Sequence, residues 1–138
     1  MTSEVSVEEA NAFMTSAFSG GNRSKVVLME RDRAIIRMDA GPEQMRPGGY
    51  ISGPTQMTMA DSATYMAIFT RLGITPMTVT SNLNMTFLRP CIGAAVVAEA
   101  RLLKLGRTLA VAEVDIRAEG SDKSASHAVV TYSIPAKD

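Results

Sequence analysis

Residues 52–73 read SGPTQMTMADSATYMAIFTRLG, and the way this run folds decides the architecture. Pro54 suits the first position of a helix, Gly73 is a natural stop, and nothing between them breaks a helix. The spacing predicts one helix over 54–72, about five turns long. Apolar residues fall on most of its sides, so the helix is expected to be buried, with Met57, Met59 and Met66 as core first and adaptable pocket wall second. One residue is then anomalous. Asp61 stands among Met57, Met59, Ala60 and Ala63, where an unpartnered carboxylate is costly to bury. Either it faces water or it serves a site.

Working back from the helix, residues 40–53 read as a loop. "KVVLME" (25–30) and "RAIIRMDA" (33–40) read as two strands around a tight turn near Arg31 and Asp32. "GGNRS" (20–24) separates them from a short amphipathic helix within residues 1–20. Ser6 and Glu9 form a capping box for that helix, and Ala10, Phe13, Met14, Ala17 and Phe18 recur at helical spacing.

Working forward, four strands follow. In "MTVTSNLNMTFLR" (77–89), Met77, Val79, Leu83, Met85 and Phe87 are expected on one packed face. Thr78, Thr80, Asn82, Asn84 and Thr86 are expected on the other, hydrogen-bonding face. "AAVVAEARLLK" (94–104) and "TLAVAEVDIRA" (108–118) form a hairpin at Gly106, and Ala110, Ala112, Val114 and Ile116 make its buried side. "EGSDK" (119–123) turns into the last strand, "SASHAVVTYSI" (124–134). The order is helix, two strands, long helix, four strands, with short turns that favour antiparallel neighbours. The expected class is α+β, a sheet wrapped round a central helix, as one domain over residues 1–138. Such a sheet leaves edge strands, and pairing them with a second copy predicts at least a homodimer, with a dimer of dimers as the next assembly.

Composition narrows the function. Fourteen basic and fourteen acidic residues cancel among 138, so no global field draws in nucleic acid or an anionic membrane. Cys91, the one cysteine, has no partner for an internal disulfide and reads as a small packing residue, and no Cys/His spacing fits a metal. The first residues lack the basic and apolar regions of a signal peptide, and no apolar run reaches spanning length, so the expected location is cytoplasmic.

Three motifs, "RPGGYISGPTQMTMAD" (46–61), "SNLNMTFLRP" (81–90) and "GRTLAVAEVDI" (106–116), occur in a definite order. In order and spacing they resemble the hotdog-fold acyl-CoA thioesterases of the phenylacetic-acid-degradation (PaaI-like) type, over roughly residues 40–136. The resemblance implies a hotdog fold and hydrolysis of an acyl-CoA thioester, with CoA entering as part of the substrate and no separate cofactor. Members carry His-Gly-Gly before the central helix and an acid seven positions after the second Gly. Here the triplet is Ser52, Gly53 and Pro54, and the acid is Asp61. An Asn or Gln six residues before the His is also typical, and Arg46 stands there. These departures bear on rate and acyl preference more than on reaction class.

Thioester hydrolysis requires a base or nucleophile at the carbonyl carbon and donors aimed at the developing oxyanion. By resemblance Asp61 is the first, as base or as nucleophile, and the Gly53 amide at the helix N-terminus is the second. Pro54 has no N–H to offer. Ser52 either replaces part of the missing His or caps the helix, and the two are compatible. Arg46 is a candidate for an anionic part of the substrate. Thr80 lies where several family members orient the attacking water, although a Thr alternating in a strand is ordinary. Tyr65, one turn after Asp61 on the same face, either lines the acyl pocket or packs. Lys104, Arg107 and Thr108, around Gly106, are candidates for the CoA phosphates and equally for solvated turn residues. The rival class is a non-catalytic acyl-CoA-binding module. A hotdog dehydratase or hydratase is a third reading that would need a His, and His127, the only one, is expected at the surface or an interface, opposite Val130 and Ile134.

Overall fold

The computed structural model describes residues 2–18 and 24–136. The capping box forms as the sequence predicts: the Glu9 amide donates to the Ser6 hydroxyl at 3.1 Å, and the Glu9 carboxylate accepts from the Ser6 amide at 3.0 Å. It starts α1, Val7–Ala17. The expected break over 20–24 lies outside the described residues except for Ser24. The strands β1 (Ser24–Glu30) and β2 (Arg33–Asp39) turn at Asp32, whose φ of 69° is a conformation that Asp tolerates better than most residues. The loop before the long helix contains a 3-10 turn, Pro42–Gln44, and a tiny hairpin, β3 (Met45–Arg46) with β4 (Tyr50–Ile51). Gly48 and Gly49 turn that hairpin with φ of 102° and 81°, which explains the two glycines by conformation alone.

The long helix α2 spans Gly53–Leu72, capped by Ser52 and ended by Gly73 at φ 80°. After it come β5 (Val79–Phe87), β6 (Ala95–Leu105), β7 (Leu109–Ala118) and β8 (Ser126–Ser133). One antiparallel sheet has the order β1-β2-β6-β7-β8-β5, and α2 packs chiefly on β6, β2 and β7. This is the hotdog arrangement. Ala98, Ala100, Ala110 and Ala112 are fully buried and keep the sheet surface low under the helix, where Met59, Ala63, Met66 and Phe69 seat. Burying Phe69 completely contributes on the order of 3 kcal/mol. Cys91 is buried as a packing residue, and burial pushes its thiol upward. Met57 departs from the expected core: it is 42% exposed, while Met59 and Met66 are enclosed.

The two edges of the sheet differ. Asn11 of α1 bonds both ways to Val26 of β1, donating to its carbonyl at 3.0 Å and accepting from its amide at 2.9 Å. That occupies part of the edge. No strand covers β5 among the described residues, and Met77 (72%), Val79 (56%) and Phe87 (49%) are exposed along it. The expectation that one face of this strand packs therefore holds only in its middle, where Leu83 and Met85 are partly buried against the core.

The expected alternation of β5 is corrected at one point. Leu83, Met85 and Phe87 pair with Val130, Ala128 and Ser126, but the register shifts between Thr80 and Asn82, and Thr80 pairs with Tyr132. A bulge at Ser81 inserts one residue, so Thr80 faces the helix with Leu83, and Val79 faces outward with Asn82. Strict alternation would put Thr80 with Asn82 and Asn84. The bulge brings its hydroxyl to α2.

Candidate active site

Asp61 lies halfway along α2 and is half-buried in the single chain. Thr80 donates to its Oδ1 at 2.5 Å. Tyr132, from β8, places its hydroxyl 2.9 Å from the same Oδ1 and 3.0 Å from the Asp61 carbonyl oxygen. Burial pushes the Tyr132 hydroxyl far above its ordinary range; the bond with Thr80 opposes this and the negative charge of Asp61 adds to it. Tyr132 is therefore a protonated donor at any physiological pH. The solvated reading of Asp61 does not describe this carboxylate, which is engaged by two strands across the helix–sheet interface.

Tyr132 belongs to none of the three sequence motifs. The period-2 pattern of β8 carries the signal, because Tyr132 shares the buried parity of Ala128 and Val130. A buried tyrosine hydroxyl needs a partner, and Asp61 supplies one. Tyr65 stacks on Tyr132 at 5.9 Å between centroids and 23° between planes, and also packs against Phe13 and Phe69. Its hydroxyl donates to the Pro76 carbonyl at 2.8 Å. Tyr65 thus sits beside the carboxylate site as part of an aromatic cluster.

Gly53 opens α2 as its first residue, so its N–H has no acceptor within the helix. The Phe87 ring approaches to 3.4 Å of where a Gly53 Cβ would be. The Ser52 hydroxyl accepts from the Thr55 amide at 3.2 Å and lies 2.7 Å from the Thr55 hydroxyl. The structure therefore gives Ser52 the cap. Replacing it with Ala should cost about 1 kcal/mol of stability, seen as a melting point lower by roughly 3–5 °C. Turnover per folded molecule should stay within about twofold, because the hydroxyl is already engaged by the first turn. A larger fall in kcat, with the melting point unchanged, would assign Ser52 to the substrate instead.

The remaining candidates lie further away. Arg46 is exposed and its guanidinium sits 5.9 Å from the Tyr50 ring centroid. Lys104, Arg107 and Thr108 are exposed at the β6–β7 turn, where Gly106 N–H donates to the Leu109 carbonyl at 2.8 Å. Thr80, Tyr132, Ala110 and Leu105 form one rung across four strands. That turn is therefore about three strand spacings, or about 14 Å, from the carboxylate, at the same end of the sheet.

The outer face of the sheet carries a second charged region. A groove of about 180 Å³ is lined by Glu99, Arg101, Glu113, Asp115, Arg117 and His127. Glu99 meets Arg33 at 2.5 Å and Arg101 and Arg117 at 3.3 Å; burial works to raise its carboxyl, and the three arginines together hold it below the usual range. His127 lies 3.4 Å from Glu113 on this outer face, with the sheet between it and Asp61, as its parity predicts. These charges neutralise one another and none reaches the helix side. Among the described residues, no group of His, Cys, Asp and Glu is placed to hold a metal ion, and no helix is long and apolar enough to cross a membrane.

Three solved structures place this geometry among known folds. A candidate thioesterase from Silicibacter sp. TM1040 is 29% identical, with 98% of this chain and 95% of that chain covered and a TM-score of 0.87. Zebrafish thioesterase superfamily member 2 shares the fold at 23% identity, with 96% and 100% covered and a TM-score of 0.84. The phenylacetic acid degradation protein PaaI from Thermus thermophilus, solved as a point mutant, is 25% identical, with 81% and 93% covered and a TM-score of 0.69. No curated protein sequence matches. The family model of the thioesterase superfamily matches residues 48–125, more than half of the sequence, and the chain belongs to that superfamily.

Proposed function

We propose that this protein is a PaaI-like acyl-CoA thioesterase that works in the cytoplasm as a homodimer or dimer of dimers. Asp61 of one subunit acts as base or nucleophile, and the Gly53 amide of the other stabilises the oxyanion. The observation that carries this reading is the Asp61 carboxylate, held by Thr80 and Tyr132 and bordered by Met57 and the open β5 edge. With Asp61 as base, the carboxylate takes a proton from water as the water oxygen attacks the thioester carbon. The carbonyl electrons move to the oxygen facing the Gly53 amide. When the C–S bond breaks, the proton held by Asp61 passes to the departing CoA sulfur. No cofactor is required.

Geometry favours two chains per site. Gly53 and Asp61 are eight residues apart on one helix, hence about 12 Å apart in rise and about 80° in rotation. Phe87 packs at Gly53 and Thr80 bonds Asp61, so α2 and β5 run in opposite senses. Pairing β5 antiparallel with β5 of a second copy, about a two-fold axis near Leu83, brings the Phe87–Gly53 end of one chain to the Thr80–Asp61 end of the other. It also covers Met77, Val79 and Phe87, apolar side chains otherwise left in water. Lys104 and Arg107 are then available to the CoA phosphates, since the extended arm of CoA spans more than the distance from the carboxylate.

A panel of acyl-CoAs, with free thiol as readout, tests the reading. At least one class should be hydrolysed with saturation kinetics. Saturable acyl-CoA binding without thiol release from any member would identify a binding module and overturn the enzyme.

A further inference from the structure

We infer that Tyr132 is a positioning residue that fixes the Asp61 carboxylate so that Oδ2, and not Oδ1, is the oxygen presented to the substrate. This rests on the proposed role of Asp61 and goes beyond it by naming the oxygen that acts and the group that selects it. Oδ1 receives the Thr80 hydroxyl at 2.5 Å and the Tyr132 hydroxyl at 2.9 Å; among the described residues nothing bonds Oδ2. A carboxylate held by no donor would swing about its Cβ–Cγ bond, and neither oxygen would keep one direction. The Tyr132 hydroxyl prevents this because it also lies 3.0 Å from the Asp61 backbone carbonyl, which ties the side chain to its own main chain.

Tyr132 can hold this position because little else about it can move. Its ring is buried and stacked on Tyr65, and its backbone lies between Thr80 of β5 and Ala110 of β7. Both hydroxyls reach Oδ1 only because the bulge at Ser81 turns Thr80 inward onto the rung that Tyr132 occupies. Strand register is thereby converted into the orientation of one side chain. Such preorganisation matters for turnover more than for binding, since a misdirected oxygen still permits the substrate to dock.

Tyr132→Phe removes the hydroxyl and keeps the ring, and Thr80→Val removes the other donor at nearly constant shape. Hydrogen bonds to charged groups have a magnitude that predicts a fall in kcat of about 10- to 100-fold for Tyr132→Phe. KM should stay within about threefold, and the doubly substituted protein should lose more kcat than either variant. A purely structural Tyr132 would lower the melting point and leave kcat per folded molecule unchanged. That result, with Asp61→Asn inactive, would overturn the positioning role and leave the proposed function standing. Full turnover in Asp61→Asn would overturn both. If Tyr132→Phe folds poorly, Thr80→Val gives the same kcat-against-KM comparison from the exposed side, and an unchanged kcat there would sink the two-donor arrangement.

Discussion

Asp61→Asn should reduce thioester hydrolysis by about a thousandfold, in line with the loss of a general base or nucleophile. The fold should survive the change. An Asn side chain keeps an oxygen acceptor for both the Thr80 and the Tyr132 hydroxyls, and its size matches the carboxylate. It cannot take a proton from water, and its amide is a poor nucleophile. The melting temperature should therefore remain within a few degrees while turnover disappears, and the elution volume of the protein should not change. A carboxylate serving only to satisfy Tyr132 would behave otherwise: Asn would satisfy the same hydroxyls and thiol release would continue at the wild-type rate. Measuring both quantities on one preparation separates the two roles.

The elements of this fold were legible because their signals are local. Ser6 with Glu9, Pro54 with Gly73, and the alternating alanines and valines of β7 each specify an element through caps or period, and each appears where expected. The candidate site is legible only in part. Asp61 stood out as an acid in an apolar helix, and the PaaI-like spacing pointed to Gly53. Thr80 entered through the same resemblance, although strict alternation put it on the wrong face, because a bulge at Ser81 leaves no mark in a run of Thr, Ser and Asn. Tyr132 is not legible in this way, because its partner lies 71 residues away on α2 and only the packing of that helix against β8 brings them together. Gln56 escaped for the same reason: buried in the first turn of α2, it donates to the Ile51 carbonyl and accepts from the Ser126 hydroxyl. Long-range polar contacts depend on topology, and period and capping do not report it.

Two inactive variants should restore activity when they share a dimer. Asp61→Asn removes the base, and Gly53→Pro removes the amide hydrogen proposed to serve the oxyanion. Proline is tolerated at the first position of a helix, and Ser52 already has the extended conformation, ψ 154°, that a residue before proline adopts. The nearest atom to an added Cβ is the Phe87 ring at 3.4 Å, so Gly53→Pro should fold, which circular dichroism can verify. Each homodimer lacks one group at both sites. In the mixed dimer, Asp61 from the Gly53→Pro chain meets Gly53 from the Asp61→Asn chain, completing one site of two. Random pairing makes half the dimers mixed, so co-expression should recover roughly a quarter of wild-type activity. Differently tagged chains purified in tandem should give roughly half, since every dimer then holds one complete site. If the purified mixed dimer is folded and releases no thiol, the shared site is wrong, and the oxyanion must be held by a group on the same chain as Asp61.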